Sequence, residues 1–129
     1  LVGGGVLDRF PRLRVAFLES GCGWVPWFME RLDERFDKLR RHVPFCKKSP
    51  REHMRGPQCF FACDPDESSI KPFLEVMGED RLIYASAYPH WDAKFPGTVD
   101  MIADRTELTA RQKANVLGDN AKRLFTRLA

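Results

Sequence analysis

Apolar residues fall along this chain in two patterns, short solid runs and longer stretches recurring every three or four positions. Leu13-Arg14-Val15-Ala16-Phe17-Leu18 is a β-prone run entered through Phe10-Pro11, and it predicts a first strand. The run ends in the small-residue turn Glu19-Ser20-Gly21-Cys22-Gly23. From Trp24 to Val43 the pattern turns helical, with Trp24, Trp27, Phe28, Leu32, Phe36, Leu39 and Val43 on one stripe. The opposite face carries Glu34/Lys38 and Asp37/Arg41 in the favourable acid-first order. Val43 to Pro57, broken by prolines and rich in basic residues, reads as a long connection or insertion. Gln58 to Cys63 predicts a buried second strand leading into Asp64-Pro65-Asp66. A short helix follows, with Ile70, Phe73, Leu74 and Met77 on one face and Gly78 as its stop. Arg81 to Ser86 is the third strand. Beyond it, Thr109 with Gln112 forms a capping-box pattern before a helix ending at Gly118, and a final helix runs through Asn120 to Phe125.

A strand-loop-helix order repeated three times, with a helical tail, predicts an α/β fold with a parallel sheet covered by helices. No internal repeat or boundary divides the chain, so residues 1–129 form one unit. Three parallel strands leave two unpaired edges, a poor arrangement for a molecule standing alone. A complete (β/α)8 barrel takes about 250 residues. The pattern therefore fits the last three β/α units of a (β/α)8 TIM barrel, incomplete as a barrel in its own right.

Composition narrows the picture. The chain has 129 residues, 43% hydrophobic and 30% charged, which excludes a disordered tail or low-complexity linker. No apolar run approaches the roughly 20 residues of a membrane span. Twenty-one Lys and Arg against 18 Asp and Glu leave a formal charge of +3, too small an excess to predict nucleic-acid or membrane partners. Cys59 and Cys63, four apart on one strand face, would lie about 13 Å apart, beyond disulfide reach. Cys22 and Cys46 lack a CxxC partner. Reduced thiols and a cytoplasmic location are the expectation. The first residue is Leu1, without a signal-peptide pattern, so the chain reads as processed or as a piece of something longer.

In parallel α/β folds ligands bind at the carboxyl ends of the strands. Glu19 closes the first strand, where it could act as a general base or metal-facing carboxylate, or could cap the next helix. Cys22 beside it reads as a small buried loop residue rather than a nucleophile. Asp64 and Asp66 read as helix-capping acids. His90 and Asp92 follow the third strand, His being the side chain suited to proton transfer near neutrality. Tyr88 and Trp91 flank them as walls of a substrate pocket. His42, at a helix end, and His53, in the basic connection, do not read as ligands. The basic group Arg40, Arg41, Lys47, Lys48 and Arg51 reads as a solvated surface.

Assembled, these residues resemble the amidohydrolase-related family of metal-dependent TIM-barrel hydrolases and decarboxylases. The likeness rests on Gly5 to Glu19, Gly21-Cys22-Gly23-Trp24, Arg81 to Ser86, Tyr88-Pro89-His90-Trp91-Asp92 and Gly118 to Phe125. It implies the carboxyl-terminal part of such a barrel, acting on a small-molecule substrate by metal-assisted hydrolysis or loss of CO2. It also implies a divalent metal, zinc foremost, held by a His-x-His pair and a further His upstream of Leu1 and by an Asp after the last strand. That Asp falls between Ser86 and Tyr88, where this chain has Ala87. No metal ligand is therefore assigned within the chain, which is expected to bind no metal and to be catalytically silent alone. Glu19, His90 and Asp92 remain as catalytic candidates, with Tyr88 and Trp91 for substrate. The alternative is a degenerate, non-enzymatic module whose sheet edges are covered by a second copy or a partner chain.

Overall fold

The computed structural model describes residues 1–127. Its centre is a parallel sheet of β1 (Val15–Phe17), β2 (Cys59–Cys63) and β3 (Leu82–Tyr84), in chain order. The register pairs Val15 with Cys59 and Phe17 with Phe61 on one side of β2, then Phe61 with Leu82 and Cys63 with Tyr84 on the other. β2 is buried along its whole length, as a central strand covered on both faces must be. Cys59, Phe61 and Cys63 face the larger core, which also takes in Val25, Met29, Ile70, Phe73 and Leu74. Phe60, Ala62 and Ile83 form a smaller core under Ala121 and Leu124. At the centre of the larger one, Phe61 stacks on Phe17 at 5.2 Å between ring centroids and meets Phe73 edge-on at 5.6 Å.

The helices are α1 (Val6–Arg9), α2 (Val25–Lys38), α3 (Pro50–Met54), α4 (Ile70–Met77), α5 (Thr98–Ala103), α6 (Ala110–Ala114) and α7 (Asn120–Leu124). α4 buries the four apolar residues expected of it and stops at Gly78, whose φ of 92° only glycine adopts freely. The Thr109/Gln112 capping box is formed, each side chain bonding the other's backbone N–H.

Four expectations are corrected. α2 ends at Lys38, followed by a 3-10 turn at Arg40–His42, so Arg41 lies outside the helix; the expected Glu34–Lys38 pair does form, and Glu34 also meets Arg31. Trp27, 64% exposed, points outward, while Val25 and Met29 take the buried row, because a start at Val25-Pro26 turns that row to the sheet. The connection from Val43 to Pro57 contains α3, built on Ser49-Pro50-Arg51-Glu52: Ser49 caps, Glu52 returns the bond, and proline occupies the first turn. Gly118 does not end a helix. α6 continues through a π-helical turn at Asn115–Asp119 into α7.

The amino ends of the strands are tied down by buried polar groups. The Gln58 side-chain amide donates to the carbonyls of Leu7, Phe10 and Leu13 at 3.1, 3.0 and 3.1 Å, fixing the segment that leads into β1. Asn120, fully buried, donates to the carbonyls of Glu79 and Leu82, both at 2.8 Å, and sets the start of β3. Each satisfies backbone groups that burial would otherwise leave unpaired.

Candidate active site at the carboxyl ends of the strands

Each strand gives way to a loop carrying polar residues, and two of these loops hold a non-glycine residue in the left-handed region. Glu19, after β1, has φ 57°, and Ala87, after β3, has φ 56°. Non-glycine residues rarely adopt this conformation, which costs about 1 kcal/mol or more, and such strain gathers at functional sites.

The loops are joined by a carboxylate that sequence reading passed over. Glu67 accepts the Cys22 amide on both oxygens, at 2.9 and 3.1 Å, and the Asp64 amide at 2.9 Å. The Ser69 hydroxyl donates to it at 3.0 Å. One side chain thus ties the loop after β1 to the loop after β2. Gly21 is required where Glu67 approaches: a Cβ there would lie 2.6 Å from a Glu67 oxygen. Arg105 braces the same loop from outside, donating to the carbonyls of Pro65 and Glu67 at 3.2 and 2.7 Å. The run of acids from Asp64 to Glu67 was the available signal. Its distant partners, Cys22 and Arg105, lie 45 residues before it and 38 after it, which no local pattern marks.

Asp64 and Asp66 are not helix caps, a correction of the expectation. α4 begins at Ser69 without a side-chain cap and has no acid in its first turn. Asp66 instead forms an ion pair with Lys94 in the loop after β3. These residues, with Ser86, Ala87 and Asp92, line a cleft of about 300 Å³. Of the candidates, Asp92 lines this cleft. His90 is exposed, as are Tyr88 at 65% and Trp91 at 94%, and none of the three is among the cleft's lining residues. Tyr88 packs against Phe95 at 4.7 Å between centroids. Glu19 is exposed at the neighbouring strand end and is not among the cleft's lining residues. Burial pushes the Cys22 thiol up to about 12, with Glu67 adding to it, so this thiol is neutral and inert near neutrality.

The strand ends do not assemble a metal centre. Among the described residues, the one group of three His, Cys, Asp or Glu donors close enough to share an ion is Asp8, Cys46 and His53, which lies elsewhere. Ala87, at the left-handed position after β3, offers no donor.

A parallel β/α succession with polar loops gathered at the carboxyl ends of its strands is the arrangement of α/β enzymes, (β/α)8 barrels among them. Residues 1–127 match the Amidohydrolase family, and the chain belongs to it. It is 28% identical over 123 residues to 2-amino-3-carboxymuconate-6-semialdehyde decarboxylase of Dictyostelium discoideum, covering 94% of this chain and 33% of that one. Among solved structures, 5-carboxyvanillate decarboxylase from Sphingomonas paucimobilis superposes with a TM-score of 0.81 at 25% identity, over 97% of this chain and 37% of that chain. Dihydroxybenzoic acid decarboxylase from Polaromonas sp. JS666, solved with bound manganese and the inhibitor 2-nitroresorcinol, gives a TM-score of 0.78 at 18% identity. It covers 100% of this chain and 38% of that one. The chain thus spans little more than a third of the length of these relatives, and its fold is a partial barrel. No helix of the described residues is long and apolar enough to cross a membrane.

Proposed function

We propose that this chain is the carboxyl-terminal three β/α units of a carboxy-lyase of the amidohydrolase family, acting on a small conjugated carboxylic acid, and is silent by itself. The observation that carries the reading is that the relatives matched at 28% and 25% identity are both decarboxylases of such acids. A divalent ion, manganese or zinc, belongs to the completed enzyme by analogy with the manganese-bound relative. Among the described residues the strand ends lack the three convergent donors that would hold it. In the completed barrel Tyr88 and Trp91 form an aromatic wall for a flat substrate. Loss of CO2 from an unsaturated carbon requires a proton at that carbon, and Asp92, His90 and Glu19 are the groups placed to hold or deliver one.

Ala87 is the departure that silences the site. Its left-handed backbone is one that Asp, Asn and Gly adopt more readily than Ala, as a position evolved around a carboxylate would have. A chimera tests this: the matching segment of the Sphingomonas decarboxylase is replaced by this chain, with Ala87 or with Ala87→Asp, and CO2 release from 5-carboxyvanillate is followed. The Ala87 chimera should be inactive and the Ala87→Asp chimera faster by orders of magnitude. A folded Ala87→Asp chimera with no activity, or turnover by the isolated 129-residue chain, overturns the reading.

A second reading has its own support. β1 and β3 each pair on one side only among the described residues, and Leu18, Trp27 and Phe28 are exposed apolar groups. A non-enzymatic module covered by a second copy or a partner would be built this way. Sedimentation equilibrium decides: a well-folded monomer removes this reading, and a dimer supports it.

A further inference from the structure

The amino ends of the strands hold a cluster that the proposed carboxy-lyase does not use. Asp8 from α1, Cys46 from the connection and His53 from α3 bring one carboxylate oxygen, one thiol sulfur and one imidazole nitrogen within 4.8 Å of one another. Cys46 and His53 are 1% and 3% exposed, and the Asp8 carboxylate is nearly as deep. The His53 Nε2 lies 2.9 Å from Asp8 Oδ2, and the Lys47 amide donates to the same oxygen at 2.8 Å. The Cys46 thiol donates to the Lys48 carbonyl at 3.2 Å.

We propose that Asp8, Cys46 and His53 form a zinc site that fastens α1 and the connection together before β2. The donor set is the mixed nitrogen, sulfur and oxygen set that suits Zn²⁺ among divalent ions. The charges balance, since one carboxylate and one thiolate neutralise the ion while the imidazole binds uncharged. Tetrahedral zinc, with bonds of about 2.0–2.3 Å, holds its ligand atoms about 3.3–3.6 Å apart. The cluster reaches that spacing by side-chain adjustment: Asp8 and His53 open by a few tenths of an ångström and Cys46 swings inward. Zinc binds the carboxylate, the thiolate and the neutral imidazole at Nε2, whose N–H is then on Nδ1; the sulfur proton, and any second proton shared by the Asp8–His53 pair, pass to solvent. The Lys47 amide keeps its bond to the carboxylate and orients it, as partners of metal-bound carboxylates do. Asp8 also lines a cleft of about 410 Å³ between Gly4–Phe10 and Pro44–Lys47, from which a water would supply the fourth ligand. Asp8 lies 38 residues before Cys46 and 45 before His53, which explains why neither reads as a ligand on its own.

The test is cobalt substitution in the purified chain after chelator treatment. One Co²⁺ per chain should bind, with a thiolate-to-cobalt charge-transfer band in the near ultraviolet and the strong visible absorption of tetrahedral geometry. Zn²⁺ should displace it and raise the melting temperature. Cys46→Ser should abolish the ultraviolet band, and His53→Gln should weaken binding by at least about tenfold. X-ray absorption of the zinc-loaded wild type gives a readout independent of any variant's folding: one sulfur at about 2.3 Å and nitrogen or oxygen neighbours at about 2.0–2.2 Å. Absence of the charge-transfer band, its persistence in folded Cys46→Ser, or a zinc shell without sulfur overturns the proposal.

Discussion

The two ends of the sheet are built on opposite terms. At the amino ends the polar groups are buried and answered: Gln58 serves three carbonyls, Asn120 two, and His53 meets Asp8. At the carboxyl ends Glu19, His90, Trp91 and Asp92 stand exposed, and two loops carry left-handed backbone. Buried polar groups satisfied within the chain define one structure. Exposed ones leave their bonds to solvent and add little to it. The division matches (β/α)8 barrels generally, where the carboxyl face does chemistry and the amino face holds the fold.

The contrast predicts a large effect at one end and none at the other. Gln58→Leu keeps the volume but orphans three carbonyls, and should cost about 3 kcal/mol in urea unfolding, close to what losing several buried bonds entails. His90→Ala and Asp92→Asn, at exposed positions, should each change stability by less than about 0.5 kcal/mol. Equal losses at both ends would erase the distinction.

Glu67 is the exception that sharpens it, a satisfied carboxylate among exposed ones. Glu67→Gln keeps one acceptor oxygen but aims an NH2 at amides that donate, so it should cost about 2 kcal/mol. Faster hydrogen exchange at the Cys22 and Asp64 amides, with the Gln58 region unchanged, would place the loss in the loops. A uniform rise in exchange would show that Glu67 supports the whole fold instead.

What could be read in advance follows the same logic of distance. The Thr109/Gln112 box, the Gly78 stop and the apolar face of α4 are local patterns, and each formed as its residues predict. The capping box of α3 was equally local, but its Ser-Pro-Arg-Glu was masked by surrounding basic residues. Asp8 with His53 and Cys22 with Glu67 are each 45 residues apart, so only the folded chain shows them as pairs. At the carboxyl ends, chain order placed Asp92 at the cleft because a loop after a parallel strand must emerge there. It could not show that Glu19 would stand outside that cleft.

The cysteines test whether the carboxyl end has thiol chemistry. Burial pushes the Cys59 thiol up to about 11 and Cys22 to about 12, and it raises Cys63 as well. The folded chain therefore holds these protons more tightly than the unfolded one, whose thiols titrate near about 8.5. Stability from this source is whole below that pH and falls as pH rises toward 11–12, by about 1.4 kcal/mol per pH unit for each thiol. Native protein should react with a thiol reagent at pH 8 only as fast as it unfolds. Prompt modification of Cys22 would mean a reactive group at the carboxyl end that the structure does not contain.

The smallest effect bears most directly on function. Ala87 sits at φ 56°, where glycine is free of the Cβ clash and Asp is better tolerated than Ala. Ala87→Gly relieves that clash while raising the entropy of the unfolded chain, and the two should leave a gain of about 0.5 kcal/mol. Ala87→Asp should be near neutral, while the β-branched Ala87→Val should cost about 1 kcal/mol or more. This order, read from thermal unfolding, separates a backbone shaped for a carboxylate from a loop that is merely bent. If Asp is tolerated as well as Ala, the loop after β3 has the conformation that the proposed carboxylate needs. If Asp destabilises as much as Val, the place for the carboxylate is wrong, and the role proposed for Ala87 fails with it.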